Sequence, residues 1–380
     1  MEIKNNQHNK PLRIALVTNA FKIGGGLEHI FQIVKGLPEF QFRIFARGGT
    51  AASRFKKLVN AEIYLKGYHP KYIARFNPDV IHIHHLKPLL KFYVNPLWKN
   101  RIPVIFTMHG VHLHKYEFLR GIKNKVTSFM RFRLEKNLLR KVNKIITVSE
   151  GDRKFIQTKF FVNNIIVIPN GIDFSEFKNI PSFSISQLRK MHQLPEDAFL
   201  FLTVARFDFP KGYDILVKAI SLSKQELSNR KAKFVFVGTG SQFAQIKQLA
   251  FQCSVNDLIL FTGEVAPVTP IMRACDAFIL PSRWEGLPLT LLEAGYLRLP
   301  VIASDTYGNR EIIRHKQTGL LFRNEDAAQL SQLIQKVLEG KFNLSTFANN
   351  LYFLIRSKYD LKQNLSLLKQ LYQEMCNPIS

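Results

Sequence analysis

Two glutamates, Glu285 and Glu293, stand in the stretch "PSRWEGLPLTLLEAGYLRLPVIAS" (281–304), with Gly286, Leu287 and Pro288 between them. Carboxylates at this spacing support three chemistries: an acid/base couple, a clamp on the vicinal hydroxyls of a sugar, or only a capped surface helix. Ser282 ends an apolar run, and Pro288 suits the first turn of a following helix, where its missing N–H costs nothing. Glu285 is therefore expected in a loop at a strand's carboxyl end. Glu293 is expected about a turn and a half into the helix. Leu289, Leu292 and Tyr296 keep helical spacing and are expected against a sheet. This placement suits a clamp better than an acid/base pair across one bond.

Cations stand at a second strand end. In "ARFDFPKGYDIL" (205–216), Arg206 closes an apolar run and Lys211 follows beside Gly212. A planar guanidinium and a compact ammonium together suit a diphosphate, whereas two solvated charges on a turn are the plain alternative. Gly24, Gly25 and Gly26, in "NAFKIGGGLEHI", free the backbone N–H groups at a helix start to approach an anion. The stretch is not G-x-G-x-x-G and carries no Walker lysine, and a tight strand-to-helix turn explains it equally well. "DVIHIHH" and "TMHGVHLH" gather six histidines (82, 84, 85, 109, 112 and 114). Strand alternation puts His82 and His84 on one face. With no carboxylate or cysteine at ligand spacing, a metal centre is disfavoured, and burial at a strand end is the competing reading. His109, before Gly110, is better placed to meet a substrate.

These residues need strands to end where they begin. Apolar, β-branched runs occur at 13–19, 41–47, 79–85, 103–109, 144–149 and 165–169. Further runs occur at 198–206, 233–238, 258–263, 277–282 and 300–304. Helix-length segments separate them, which predicts parallel sheets built by right-handed crossovers. Two sheets of five or six strands are expected: an α/β fold of two doubly wound, Rossmann-like domains facing a central cleft. The polar segment near 170–190 divides them, giving one domain over 1–178 and a second over 179–358. The amphipathic helix 359–380 could belong to either domain.

The chain has 380 residues, 46% of them hydrophobic, and no apolar run approaches the roughly 20 residues of a membrane span. No signal peptide is apparent, and three scattered cysteines fit a reducing cytoplasm. The formal net charge is +26. Residues 1–178 hold 31 basic and 11 acidic side chains, against 23 and 17 in the remainder. Such an excess suggests a polyanionic partner: nucleic acid, an anionic membrane or a phosphorylated acceptor. Much of it lies in 115–144, where ten Lys/Arg surround Leu119, Ile122, Val126, Phe129, Met130 and Leu134 at helical spacing. A basic amphipathic helix docking on an anionic membrane is expected there, a core-facing stripe being the alternative.

Taken together, "GGGLEH", "NPDVIHIHH", "VIFTMHG", "IITVSEGDR", "VIPNGID", "VARFDFPKGYDIL", "FVGTGSQ", "FTGEV", "PSRWEGLPLTLLEA", "PVIAS" and "NREIIRHKQTGLLF" resemble the retaining family 4 glycosyltransferases of the two-Rossmann, GT-B type. The resemblance spans nearly the whole chain, and it implies an acceptor-side domain over 1–178, a nucleotide-sugar-binding domain over 179–358 and a terminal helix 359–380 packing back on the first. It implies a nucleotide-sugar donor, UDP- or GDP-linked, with no further cofactor and no metal. It also implies that Arg206 and Lys211 neutralise the leaving diphosphate, Glu293 holds the ribose and Glu285 with the Gly286–Leu287 backbone faces the donor sugar. Gly24–Gly26 would complete the phosphate site, Gly238 and Gly240 would admit the nucleotide, and His109 would lie near the anomeric carbon. Arg298 departs from the pattern, standing where the family usually has a left-handed C-cap glycine.

The expected activity is retaining transfer to a membrane-associated glycolipid or polysaccharide, at the inner face of the cytoplasmic membrane, in lipopolysaccharide or polysaccharide assembly. A phosphorylase, epimerase or hydrolase of the same architecture is the alternative. A nucleic-acid-binding protein is favoured by charge alone and lacks a recognisable reading module.

Overall fold

The computed structural model describes residues 10–21, 24–94, 102–111, 118, 121–178 and 183–376. They form two compact units, one of residues 1–169 with 362–380 and one of residues 170–361.

The first unit holds β1 (Arg13–Val17), β2 (Gln41–Phe45), β3 (Ala61–Tyr64), β4 (Val80–Ile83), β5 (Val104–Met108), β6 (Lys144–Thr147) and β7 (Ile165–Val167). They form one parallel sheet in the order β3-β2-β1-β4-β5-β6-β7. The second unit holds β8 (Phe199–Val204), β9 (Ala232–Val237), β10 (Ile259–Gly263), β11 (Ala277–Leu280), β12 (Val301–Ser304) and β13 (Leu320–Phe322). Its order is β10-β9-β8-β11-β12-β13, again parallel. Two Rossmann-like sheets are therefore present, of seven and six strands.

The expected runs supply eleven of these strands, and the structure adds β3 and β13. Both are short edge strands: exposed Glu62 interrupts β3, and β13, apolar and buried at Leu320 and Phe322, has only three residues and so no run long enough to stand out. Central strands β4 and β11 are buried along their full length because helices cover both faces. Each fully buried Leu, Ile or Phe there contributes roughly 1.5–3 kcal/mol.

In each sheet the chain leaves from a central strand, builds outward on one side, then returns to build on the other. This reversal puts the ends of β1 and β4 side by side in the first unit, and those of β8 and β11 in the second. Loops at such a switch point are where open α/β sheets bind ligands.

The boundary falls at Pro169/Asn170, before the expected 178/179. Segment 170–178 packs on the second unit: buried Asn170 donates to the Leu287 carbonyl at 2.7 Å, and Phe174 stacks on Tyr296 at 4.7 Å. Tyr359 and Asp360 also stay with that unit, where the Ile172 N–H donates to the Tyr359 carbonyl at 3.0 Å. From Lys362 onward the helix Leu361–Cys376 lies in the first unit, placing the Tyr372 hydroxyl 2.7 Å from His82 Nδ1 and Lys369 2.7 Å from Glu39.

Candidate functional site

Arg206 and Lys211 follow β8 and are held by what surrounds that loop. Tyr213, fully buried, stacks on Phe207 at 3.8 Å and donates its hydroxyl to the Ala205 and Val237 carbonyls, both at 3.0 Å. Arg206 then reaches Asp208 at 2.6 Å, and Asp208 Oδ1 accepts from the Ser241 amide and hydroxyl. Partial burial opposes ionisation of Asp208, but the Ser241 bonds and the Arg206 and Lys211 charges outweigh it and hold the carboxyl below its ordinary range.

Lys211 ends a short 3-10 turn, Phe209–Lys211, and its ammonium donates to Glu285 Oε1 at 2.6 Å. The Ser282 hydroxyl donates to the same oxygen at 2.6 Å. Glu285 is 9% exposed and Lys211 28%, so this is a half-sheltered pair at the adjoining ends of β8 and β11. Gly212 follows at φ 65, and a Cβ there would collide with the Pro281 carbonyl, so only glycine lets the two loops close.

Glu285 lies in the loop after β11, as expected, and Glu293 on the helix Leu289–Tyr296. Pro288 occupies the N-cap rather than the first turn. Buried Leu291, Leu292, Ala294 and Gly295 form the inner face of that helix. Tyr296 stacks on Phe174 and lies 5.5 Å from Tyr352. Gly286 and Leu287 are buried, and Gly308 packs so closely that an added Cβ would meet the Glu285 carbonyl at 2.7 Å. Gly240 likewise leaves room for Phe207, and Gly238 at φ 128 for the Ala205 carbonyl, so both glycines serve the packing of these loops. Arg298 adopts the left-handed conformation itself, at φ 56, with its guanidinium 4.0 Å from the Tyr352 ring centre.

In the first unit Gly24 precedes the helix Gly25–Gly36 and accepts from the Leu27 and Glu28 amides at 3.1 and 3.0 Å. A Cβ on Gly26 would stand 3.7 Å from the His109 ring, so glycine turn and histidine are neighbours. His84 Nδ1 lies 3.2 Å from His109 Nε2, and His29 packs edge-on to His109 at 5.0 Å. His82 is fully buried between two hydroxyls, Tyr372 at 2.7 Å and Thr107 at 2.6 Å. A neutral imidazole, one nitrogen donating and one accepting, satisfies both. His82 and His84 therefore close a strand as buried polar residues, while His112 and His114 lie outside the described residues.

Burial holds His82 and His84 well below the ordinary imidazole value, reinforced by neighbouring histidines, and burial also lowers His85. Above about pH 6.5 all three are neutral folded or unfolded, and their stability contribution is complete. Below it the unfolded chain binds protons that the folded chain refuses. Unfolding midpoints measured from pH 7.5 to 5.5 are expected to fall, and replacing His82 by Gln is expected to flatten the decline.

Within the basic stretch, Ile122–Leu139 is helical; 115–117 and 119–120, including Leu119, lie outside the described residues. The described residues of the expected apolar stripe do not face the core. Ile122, Val126, Phe129, Met130 and Leu134 are exposed, Phe129 at 62% and Met130 at 66%. Leu138, Leu139 and Glu135 are buried instead, and burial pushes the Glu135 carboxyl up despite its 2.6 Å bond from Arg131. Among the described residues no helix is long and apolar enough to cross a membrane.

Sequence reading did not find Asp208, Ser241, Asp214, Arg283, Asn170 or Gly308. Asp208 and Asp214 stand in the same stretch as Arg206 and Lys211, and Arg283 sits beside Ser282. Asp208 pairs with its near neighbour Arg206, whereas nothing local pairs Asp214 with Arg283.

The description "Glycosyltransferase Family 4" matches residues 23–176, and "Glycosyl transferases group 1" matches 184–352. The chain is 25% identical over 310 residues to the Escherichia coli UDP-Gal:alpha-D-GlcNAc-diphosphoundecaprenol alpha-1,3-galactosyltransferase, covering 80% of this chain and 78% of that one. It is 25% identical over 269 residues to the Bacillus anthracis N-acetyl-alpha-D-glucosaminyl L-malate synthase, covering 70% and 67%. Anabaena Alr3699/HepE, solved in complex with UDP-glucose, superposes with a TM-score of 0.81 at 21% identity, over 96% of this chain and all of that one. WaaG, a glycosyltransferase involved in lipopolysaccharide biosynthesis, gives 0.75 at 17% identity, over 94% and 99%. These two likenesses concern the fold.

Proposed function

The chain belongs to the family 4 glycosyltransferases of the GT-B type, and we propose that it transfers a sugar from a UDP- or GDP-linked donor, with retention and without a metal ion, to a membrane-associated glycolipid or polysaccharide. The Lys211–Glu285 pair at the switch point of the second sheet carries this reading. Breaking the bond between the anomeric carbon and the diphosphate leaves positive charge on the sugar ring and negative charge on the departing oxygen. Cations fixed beforehand stabilise that separation without reorganising. Lys211 has three donors, of which Glu285 takes one, and Arg206 is held beside it by Asp208. Glu293 accepts from the ribose hydroxyls, Glu285 and the Gly286–Leu287 backbone face the donor sugar, and Gly238 and Gly240 admit the nucleotide. Gly24–Gly26 serve the phosphates, and His109 the reacting carbon.

A thermal-shift screen across nucleotide sugars tests this. A ligand at 100 times its dissociation constant adds about 2.7 kcal/mol of apparent stability. One or more UDP- or GDP-sugars should raise the midpoint, and Glu293→Ala should weaken that shift at equal ligand. A flat response to every nucleotide sugar would end the reading.

The exposed face of Ile122–Leu139 favours a membrane-bound acceptor. Five apolar side chains flanked by lysines and arginines match an anionic bilayer, each nearby base contributing about 1 kcal/mol and each buried large apolar side chain roughly 1.5–3 kcal/mol. The undecaprenol-linked acceptor named for the Escherichia coli relative agrees with this chemistry. In flotation with anionic vesicles, replacing Phe129 and Met130 together by Ser is expected to cut recovery at least tenfold while leaving the unfolding midpoint unchanged. Equal recovery with neutral and anionic vesicles would sink the membrane assignment.

A further inference from the structure

Arg283 lies between Ser282 and Glu285 in sequence and is 5% exposed. Its guanidinium makes a two-pronged bond to Asp214, Nη1 to Oδ1 at 2.9 Å and Nη2 to Oδ2 at 2.7 Å. Nη1 also donates to the Phe209 carbonyl at 2.8 Å, and Nε to Glu325 at 2.7 Å. The same group lies over the Phe209 ring, 4.1 Å from its centre, while the Arg283 amide donates to the Pro210 carbonyl at 2.7 Å. Phe209 and Pro210 are the two residues that carry Lys211, and Asp214 lies in the first turn of the helix that follows it.

We propose that Arg283 is the positioning residue for Lys211: it ties the turn bearing the lysine to the loop bearing Glu285 and so fixes where the ammonium stands. The inference rests on the role assigned to Lys211 above. Three attachments (a carbonyl to the guanidinium, a carbonyl to the amide, and a ring face) hold the turn to the Arg283 loop. Asp214 anchors the guanidinium to the following helix, and Glu325, held at φ 63, anchors it to a third loop. Two carboxylates neutralise the buried cation, so Arg283 has no charge to spare for a substrate and acts through Lys211. A lysine cannot replace it, because a point ammonium lacks the fork that meets Asp214 and the Phe209 carbonyl together.

The test is a two-by-two comparison of turnover in the full chain, with Arg283→Lys made alone and on Lys211→Ala. Arg283→Lys alone should lower kcat by about 10–30-fold, with donor KM and affinity for free nucleotide diphosphate moving less than threefold. On Lys211→Ala the same change should cost less than twofold, because there is no ammonium left to misplace. Equal losses in both backgrounds, or no loss in either, would overturn the proposal and leave Arg283 a structural residue only. If Arg283→Lys does not fold, Asp214→Asn removes the anchor with little change of shape, and the same loss-and-suppression pattern is required of it. Should Lys211→Ala leave turnover intact, the assignment of Lys211 itself falls; additive losses alongside an impaired Lys211→Ala remove only the role of Arg283.

Discussion

Lys211→Ala is expected to lower kcat by about 10²–10³-fold, some 2.7–4 kcal/mol, the range for removing one preorganised group that meets developing charge. Donor KM should change little, because the lost interaction strengthens as the diphosphate departs. The site makes the loss larger than that of one exposed cation. Truncating Lys211 strips the ion-pair partner from Glu285, which is 9% exposed, and leaves its carboxylate with the Ser282 hydroxyl. A bare carboxylate then stands near the growing negative charge. Arg206, 48% exposed and tethered to Asp208, should show a smaller loss, about tenfold, when replaced by Ala. Steady-state kinetics with the donor found by thermal shift decide the matter, and unchanged kcat in Lys211→Ala would remove the lysine from the mechanism.

Tyr372→Ala is expected to cost the first unit about 4 kcal/mol or more. Removing a fully buried aromatic costs about 3–5 kcal/mol, and an unpartnered buried polar group adds about 1–3. Here the ring packs edge-on to Phe40 at 5.7 Å and its hydroxyl meets His82, which has no solvent to fall back on. Tyr372→Phe isolates the hydroxyl and should cost about 1–3 kcal/mol. Denaturation followed by near-ultraviolet circular dichroism would show it, and a Tyr372→Ala protein as stable as the parent would contradict the packing described.

The amino-acid sequence alone specifies the two parallel sheets, because buried central strands need continuous apolar runs and parallel neighbours need helix-length crossovers. It determined that Glu285, Arg206, Lys211 and His109 stand after strands, since a strand's end is a local property. The edge strands β3 and β13 escaped it: exposed Glu62 breaks the first, and the second, though buried at Leu320 and Phe322, is only three residues long. So did the direction of the stripe on Ile122–Leu139: periodicity reveals that a helix has an apolar face, and only the neighbours decide whether that face is covered. The tertiary structure alone joined Lys211 to Glu285, 74 positions apart, Arg283 to Asp214 across 69, and His82 to Tyr372 across 290. Such pairs obey no period. The order in which strands are laid into the sheet brings their ends together, and the buried charges and hydroxyls then take the partners they find there.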